Sequence, residues 1–163
     1  MGSERKVKVG GIMANTGLST VSIFIPQDRP DVPGRVLHAL GKQDINIEFV
    51  VHTLDPDGNG NLTFCINRKD LESTLKVLEG VRSLIKKVTY NSDVAVISVF
   101  GPHFRERPMI SGLMFDALGT ARMGVLAIST SISSCSCLIQ ADQTEDAMSV
   151  LHETFEAPHQ ITK

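Results

Sequence analysis

Tryptophan is absent from the 163-residue chain, and tyrosine occurs once, at Tyr90. Single-stranded nucleic acid is held by stacking bases on aromatic rings along a basic groove. With 16 basic residues against 18 acidic ones the net charge is −2, so both rings and field are missing and no nucleic acid is expected as a partner. No apolar run approaches the ~20 residues that span a bilayer, so no membrane is expected either. The N-terminus, MGSERKVKVGG, lacks the apolar segment of a secretory signal. Three cysteines, Cys65, Cys135 and Cys137, are too few for a disulfide framework, and a cytoplasmic location is the expectation. Cys135-Ser136-Cys137 is spaced too tightly for a zinc site; strand alternation makes its thiols two small buried hydrophobes on one face. His38, His52, His103, His152 and His159 are scattered without the spacing of a metal pair. A P-loop, a dinucleotide fingerprint, His-Glu-x-x-His and a nucleophile elbow are all missing. Neither catalytic residues, nor a metal, nor a cofactor is therefore expected.

What the chain does have is patterned. Its 42% hydrophobic and 21% charged residues are ordinary for a protein with a real core. Lys6–Met13 reads as a strand, Ala14–Leu18 with Asn15 and Gly17 as a turn, and Ser19–Ile25 as an alternating strand. Asp28-Arg29-Pro30-Asp31 is a turn; Asp31 is placed to cap a helix with Pro33 in its first turn and Val36, Leu37, Ala39 and Leu40 as an apolar stripe. Ile45–Thr53 follows as a strand, Asp55–Asn61 as a hairpin loop with Asp-Gly and Asn-Gly signals, and Leu62–Asn67 as the return strand. Asp70 is placed to cap a second helix carrying Leu71, Leu75 and Leu78, and Ile85–Tyr90 is a short strand. The basic doublet Lys86-Lys87 there reads as a solvated strand end. The order is β-α-β-β-α-β.

Val94–Phe100 begins a second such unit. Its first helix carries Leu113, Met114, Ala117 and Leu118. Strands Val125–Ser131 and Ser136–Gln140 follow, then a helix over Thr144–Phe155 with Thr144 as its cap and a frayed tail from Glu156. A shift of 78 takes Arg29 to Arg107, Pro30 to Pro108, Leu40 to Leu118 and Val50 to Ile128. Beyond the hairpin a shift of 73 takes Leu75 to Met148 and Leu78 to Leu151. Such a register implies duplication. The second copy lacks a final strand, and the N-terminal strand is the economical way to supply it, since an open edge invites non-specific pairing.

The turn before each helix is where chemistry can gather. Helix N-terminal N–H groups suit a carboxylate, and a neighbouring carboxylate can hold an ammonium group, so together they can recognise a free α-amino acid. Asp28 and Asp31 supply acid, while Asn46, Glu48 and His52 would share one face of the following strand. The plainer reading leaves Asp31 as a helix cap and Asn46 as the end of a turn.

Tandem βαββαβ units with D-R-P before the helix, I-N-I after it and I-S-T-S in the second copy resemble the regulatory region of aspartate kinase, a pair of ACT domains. The resemblance runs from about Val7 to Phe155. It implies an α+β chain of two ferredoxin-like ACT domains, each an antiparallel four-stranded sheet with two helices on one face. The first would span residues 19–91, and the second 92–157, completed by the N-terminal strand 6–14. It implies a non-catalytic regulatory module that binds a free amino acid, of the lysine or threonine class, at ACT-domain interfaces. Such a module would control amino-acid biosynthesis allosterically, as a homodimer and with a kinase catalytic subunit as a partner. The ligand-binding set carried over is Asp28, Asp31, Val32, Pro33, Asn46, Ile47, Glu48 and His52, with Ser129, Thr130 and Ser131 in the second copy. The family's glycine after D-R-P is replaced by Asp31 and Met109, which narrows both sites. Its strand Asn and acid persist as Asn46 and Glu48, but become Gly124 and Leu126 in the second copy. His52 and Ile132 stand where the family has Gln and Glu. The alternative is a structural dimerisation module with a degenerate ligand site.

Overall fold

The computed structural model describes residues 6–102, 104–158 and 160–162, with the backbone alone for Arg105 and for 160–162. His103, His159 and the N-terminus through Arg5 lie outside them. In chain order the elements are β1 (Val7–Lys8), β2 (Gly11–Ile25), α1 (Val32–Gly41), β3 (Phe49–Leu54), β4 (Gly60–Asn67), α2 (Leu71–Glu79), β5 (Lys87–Phe100), α3 (Met109–Thr120), β6 (Val125–Thr130), β7 (Ser134–Gln140), α4 (Thr144–Thr154), β8 (Phe155–Glu156) and β9 (Gln160–Thr162). This is a mixed α/β fold with antiparallel sheet and four helices among the described residues. The chain divides into two compact units. One runs from Gly17 to Asp93; the other joins the N-terminal residues through Thr16 to the chain from Val94 onward.

In the Gly17–Asp93 unit β3 and β2 flank β4, both antiparallel to it. The start of β5 lies beside β2, where the Lys86 N–H donates to the Phe24 carbonyl at 2.8 Å. Alternate strand residues Val21, Ile23, Ile25, Leu62, Phe64 and Ile66 meet Val32, Val36 and Leu40 of α1 and Leu78 of α2 in one core. In the other unit β6 pairs with β7 and β7 with β5, all antiparallel. Its core joins Ile12 and Ala14 to Ala95, Ile97, Val99, Cys135, Cys137 and Ile139, under Ile110, Met114 and Leu118 of α3 and Leu151 of α4.

The two units share local geometry. The buried triplet of α1, Val32, Val36 and Leu40, becomes Ile110, Met114 and Leu118 of α3 under the shift of 78. Asp44 and Arg122, also 78 apart, both take a left-handed backbone, at φ 54 and 58. The residues after them, Ile45 and Met123, donate back to Leu40 and Leu118 at 3.2 and 3.0 Å. This is the closure that satisfies the last carbonyls of a helix. Under the shift of 73 a three-residue 3-10 turn precedes both α2 and α4.

Several local expectations are corrected. Ala14–Leu18 is no turn but the middle of β2; Gly17, at φ 70, carries the strand through the left-handed region without a Cβ penalty. Ser19 beyond it is buried and donates to the Ser92 carbonyl at 3.1 Å. Ile85–Tyr90 and Val94–Phe100 are not separate strands, since β5 continues through Asn91–Asp93. Residues 45–48 precede β3, because the helix closure is still turning the chain there. None of Asp31, Asp70 and Thr144 caps its helix through its side chain. The Thr144 hydroxyl donates to the Ala141 carbonyl at 2.7 Å instead. The tail beyond Phe155 is not frayed throughout: β8 runs parallel to β1, and β9 parallel to β2 at Ile12–Ala14.

Candidate functional site

After β2 the chain must turn sharply to enter α1, and Asp28 does so at φ 61, a conformation that Asp tolerates better than most residues. Pro33 then lies at the helix start, where a missing N–H costs nothing. Between this turn and the end of the β3–β4 hairpin lies a cavity of about 530 Å³. Asp28, Arg29, Pro33 and His52 line it, with Leu54 and Gly60 from the hairpin. Gly60 is closely walled: a Cβ there would lie 3.1 Å from His52 Nε2 and 3.2 Å from the Ile25 Cβ, so these neighbours would have to give by a few tenths of an ångström.

Asp31 does not face this cavity. Arg29 donates to its carboxylate from Nε at 3.1 Å and Nη2 at 3.2 Å, and Arg35 Nε lies 3.3 Å away on its second oxygen. A two-pronged guanidinium contact of this kind matches carboxylate geometry. The hydrogen bond from Arg29 is the main reason that the Asp31 carboxyl lies below its ordinary range. Val32 is fully buried in the core. Asn46 and Glu48 pair with each other, Nδ2 to Oε1 at 2.8 Å. With half-buried Ile47 they follow the far end of α1, about 15 Å of helix from the turn. Of the set read from sequence, the cavity therefore gathers Asp28, Pro33 and His52. The expected single face of Asn46, Glu48 and His52 does not form, because only His52 lies on β3.

In the other unit the turn before α3 borders a cavity of about 610 Å³, lined by Lys6, Lys8, Arg107, Pro108 and Met109 among others. Arg107 Nη1 donates to the Lys8 carbonyl at 2.6 Å. Met109, which the shift of 78 sets against Asp31, is 68% exposed. Ser129, Thr130 and Ser131 are not part of this cavity. Ser129 and Thr130 pair across the ladder with Ser136 and Cys135. Ser131 Oγ accepts from the Ser133 and Ser134 N–H groups at 3.3 and 3.1 Å, closing the β6–β7 turn.

Gln27 and Gly58 also line the first cavity and escaped the sequence reading. Gly60 had a signal, since Asn59-Gly60 marks the hairpin; Gln27 had none. Burial pushes the Cys65 and Cys137 thiols up to about 12, so they are inert core groups. Among the described residues no three His, Cys, Asp or Glu side chains gather as metal ligands would. Among the described residues no helix is long and apolar enough to cross a membrane.

Residues 97–155 match the family described as ACT domain. The chain is 27% identical over 148 residues to an aspartokinase of Helicobacter pylori, a match covering 91% of this chain and 36% of that protein. The curated relatives it matches first are thus spanned over about a third of their length. The ligand-free regulatory subunit of aspartate kinase from Thermus thermophilus superposes with a TM-score of 0.83 at 22% identity, covering 91% of this chain and 99% of that one. A structure of aspartokinase alpha and beta subunits gives 0.82 at 23% identity, covering 90% and 97%. In fold the chain resembles the regulatory subunits of aspartate kinase.

Proposed function

We propose that the chain is a non-catalytic regulatory module that binds a free amino acid of the lysine or threonine class and regulates an aspartate kinase catalytic subunit allosterically in the cytoplasm. In this reading the chain holds two ACT domains, residues 19–91 and 92–157, the second completed by strand 6–14. The observation that carries the reading is the cavity at the turn before α1. Asp28 offers a carboxylate for an ammonium group, the α1 N-terminus offers N–H groups for a carboxylate, and His52 and Gly60 close the far wall.

The module acts as a homodimer. Val50 on β3 and Leu126 and Ile128 on β6 are large apolar residues left exposed on strands that pair along one side only among the described residues, which a second copy would cover. Asn46, Ile47 and Glu48, outside the cavity in one chain, then serve it from the partner copy. Ser129, Thr130 and Ser131 line the weaker, second-copy counterpart. Regulation requires the ligand to favour one dimer arrangement, since equal affinity for both shifts nothing.

A thermal-shift screen of the common amino acids tests this. At a hundred times Kd the true effector adds about 2.7 kcal/mol of stability and raises Tm by about 5–10 °C. No shift and no heat with any amino acid at millimolar concentration would sink the proposal. One observation favours the second reading, a dimerisation module with a degenerate site: the Asp31 carboxylate is already occupied by Arg29 and Arg35. That reading predicts a dimer indifferent to every amino acid.

A further inference from the structure

The doublet Lys86-Lys87 takes no part in the amino-acid cavity. It lies in another cavity of the Gly17–Asp93 unit, about 580 Å³, whose walls include Phe24, Leu54, Asp55, Asn61, Lys86 and Lys87. The Lys86 N–H is fixed to the Phe24 carbonyl, so both lysines are held beside the end of β2. The Lys87 ammonium stands 5.9 Å from the centroid of the Phe24 ring, within reach of a cation–π contact. Neither lysine is in an ion pair among the described residues. Leu54, which lines this cavity and the amino-acid cavity alike, leaves 66% of its surface exposed.

Asp55 supplies a fixed negative charge on the rim. Its carboxylate accepts from the Asp57 and Asn59 N–H groups at 2.9 and 2.8 Å and from Asn59 Nδ2 at 2.9 Å. Those hydrogen bonds, Asn59's side chain foremost, and the nearby Lys86 charge hold it below its ordinary range, so it stays ionised. Two cations facing one anion leave one net positive charge beside an apolar wall.

We propose that this cavity binds a small organic monoanion, a carboxylate whose charged end meets the Lys86 and Lys87 ammonium groups while its apolar body lies on Phe24 and Leu54. A dianion is disfavoured by Asp55. An amino-acid zwitterion would bring its own ammonium group against the two lysines, so the ligand classes of the two cavities differ. A neutral apolar molecule leaves the lysine charges unanswered.

The test is an NMR titration of the full ¹⁵N-labelled chain with phenylacetate as the probe. Saturable shifts are expected at the Phe24, Lys86 and Lys87 amides, weakening as salt shortens the screening length. Acetate, which lacks the body, and benzyl alcohol, which lacks the charge, should each bind at least about tenfold more weakly. The double variant Lys86→Gln/Lys87→Gln changes only exposed side chains outside the amino-acid cavity. It should keep the native spectrum and bind phenylacetate about tenfold more weakly. The proposal is overturned by no saturable shift at tens of millimolar, by acetate matching phenylacetate, by phenyl phosphate binding more tightly, or by unchanged binding in the double variant. Shifts confined to Asp28 and His52 would place the probe in the other cavity and overturn it equally. The outcome is independent of the amino-acid screen.

Discussion

Before α1, Arg29, Pro30 and Asp31 lead into a helix buried at Val32, Val36 and Leu40; before α3, Arg107, Pro108 and Met109 lead into one buried at Ile110, Met114 and Leu118. The backbone plan is common, and one position separates the chemistry. Where residue 31 is Asp, Arg29 folds onto it with two hydrogen bonds. Where the counterpart is Met109, which brings no carboxylate, Arg107 donates to the Lys8 carbonyl at 2.6 Å. Two turns of like backbone thus direct their arginines differently: one holds a carboxylate between Arg29 and Arg35, the other anchors Arg107 on a backbone carbonyl.

The deepest equivalence is the easiest to break. Leu40→Ala and Leu118→Ala each empty a fully buried site and should cost about 2–5 kcal/mol in urea unfolding; a large inequality would show that the two cores are not equivalent. Gly60→Ala should cost about 1–3 kcal/mol, because its Cβ would press on His52 and Ile25, and it should weaken amino-acid binding by calorimetry. Full retention of both stability and affinity would mean that the hairpin wall yields freely.

Thr74 is a smaller contrast. It is buried on α2 with a hydroxyl that has no hydrogen-bond partner, where the shift of 73 leads to buried Ala147. Thr74→Val should stabilise by about 1 kcal/mol, since an unpaired buried hydroxyl is costly, and Ala147→Thr should destabilise; the reverse order in urea would refute this. Smaller still is the effect of acid on the first turn. The Asp31 carboxyl is lowered, first by its hydrogen bond from Arg29. Its contribution is thus fully present above the unfolded-state pKa and fades as pH falls through the lower folded value. A carboxyl NMR titration should show a depressed midpoint in the native chain, and Arg29→Gln should return it toward the ordinary one. Met109→Asp should draw Arg107 away from Lys8 in the same experiment. At the bottom of the scale, native protein at pH 8 should resist iodoacetamide at Cys65 and Cys137, whose thiols burial pushes up to about 12; rapid labelling by mass spectrometry would contradict their burial.

Much of the framework was legible from residues alone. Val36 and Leu40 of α1 and Met114 and Leu118 of α3 are read at helical period and are buried, with Val32 and Ile110 completing each stripe; the Asp55–Asn59 loop follows from local hydrogen bonding. Local signals failed where tertiary packing overrode them. Asn15 and Gly17 carry turn propensity, yet β2 continues through them because its backbone is paired from Leu18 onward to β4. Asn91–Asp93 broke the expected pattern likewise, yet lies inside β5. For the site, Asp28 and His52 could be nominated by residue type. That Asp31 turns away, that Asn46 binds Glu48 and that Gln27 joins the wall are matters of side-chain direction.

By itself, the order of residues determined the helices, the hairpin and the recurring D-R-P and E-R-P turns, because those depend on neighbours within a few positions. Only the tertiary structure decided that β2 and β5 run on unbroken, that Gly60 and His52 close the cavity opened by the turn, and that Lys86-Lys87 stands over an apolar wall. Each of these needs segments tens of residues apart to meet, and no local propensity encodes which of them will.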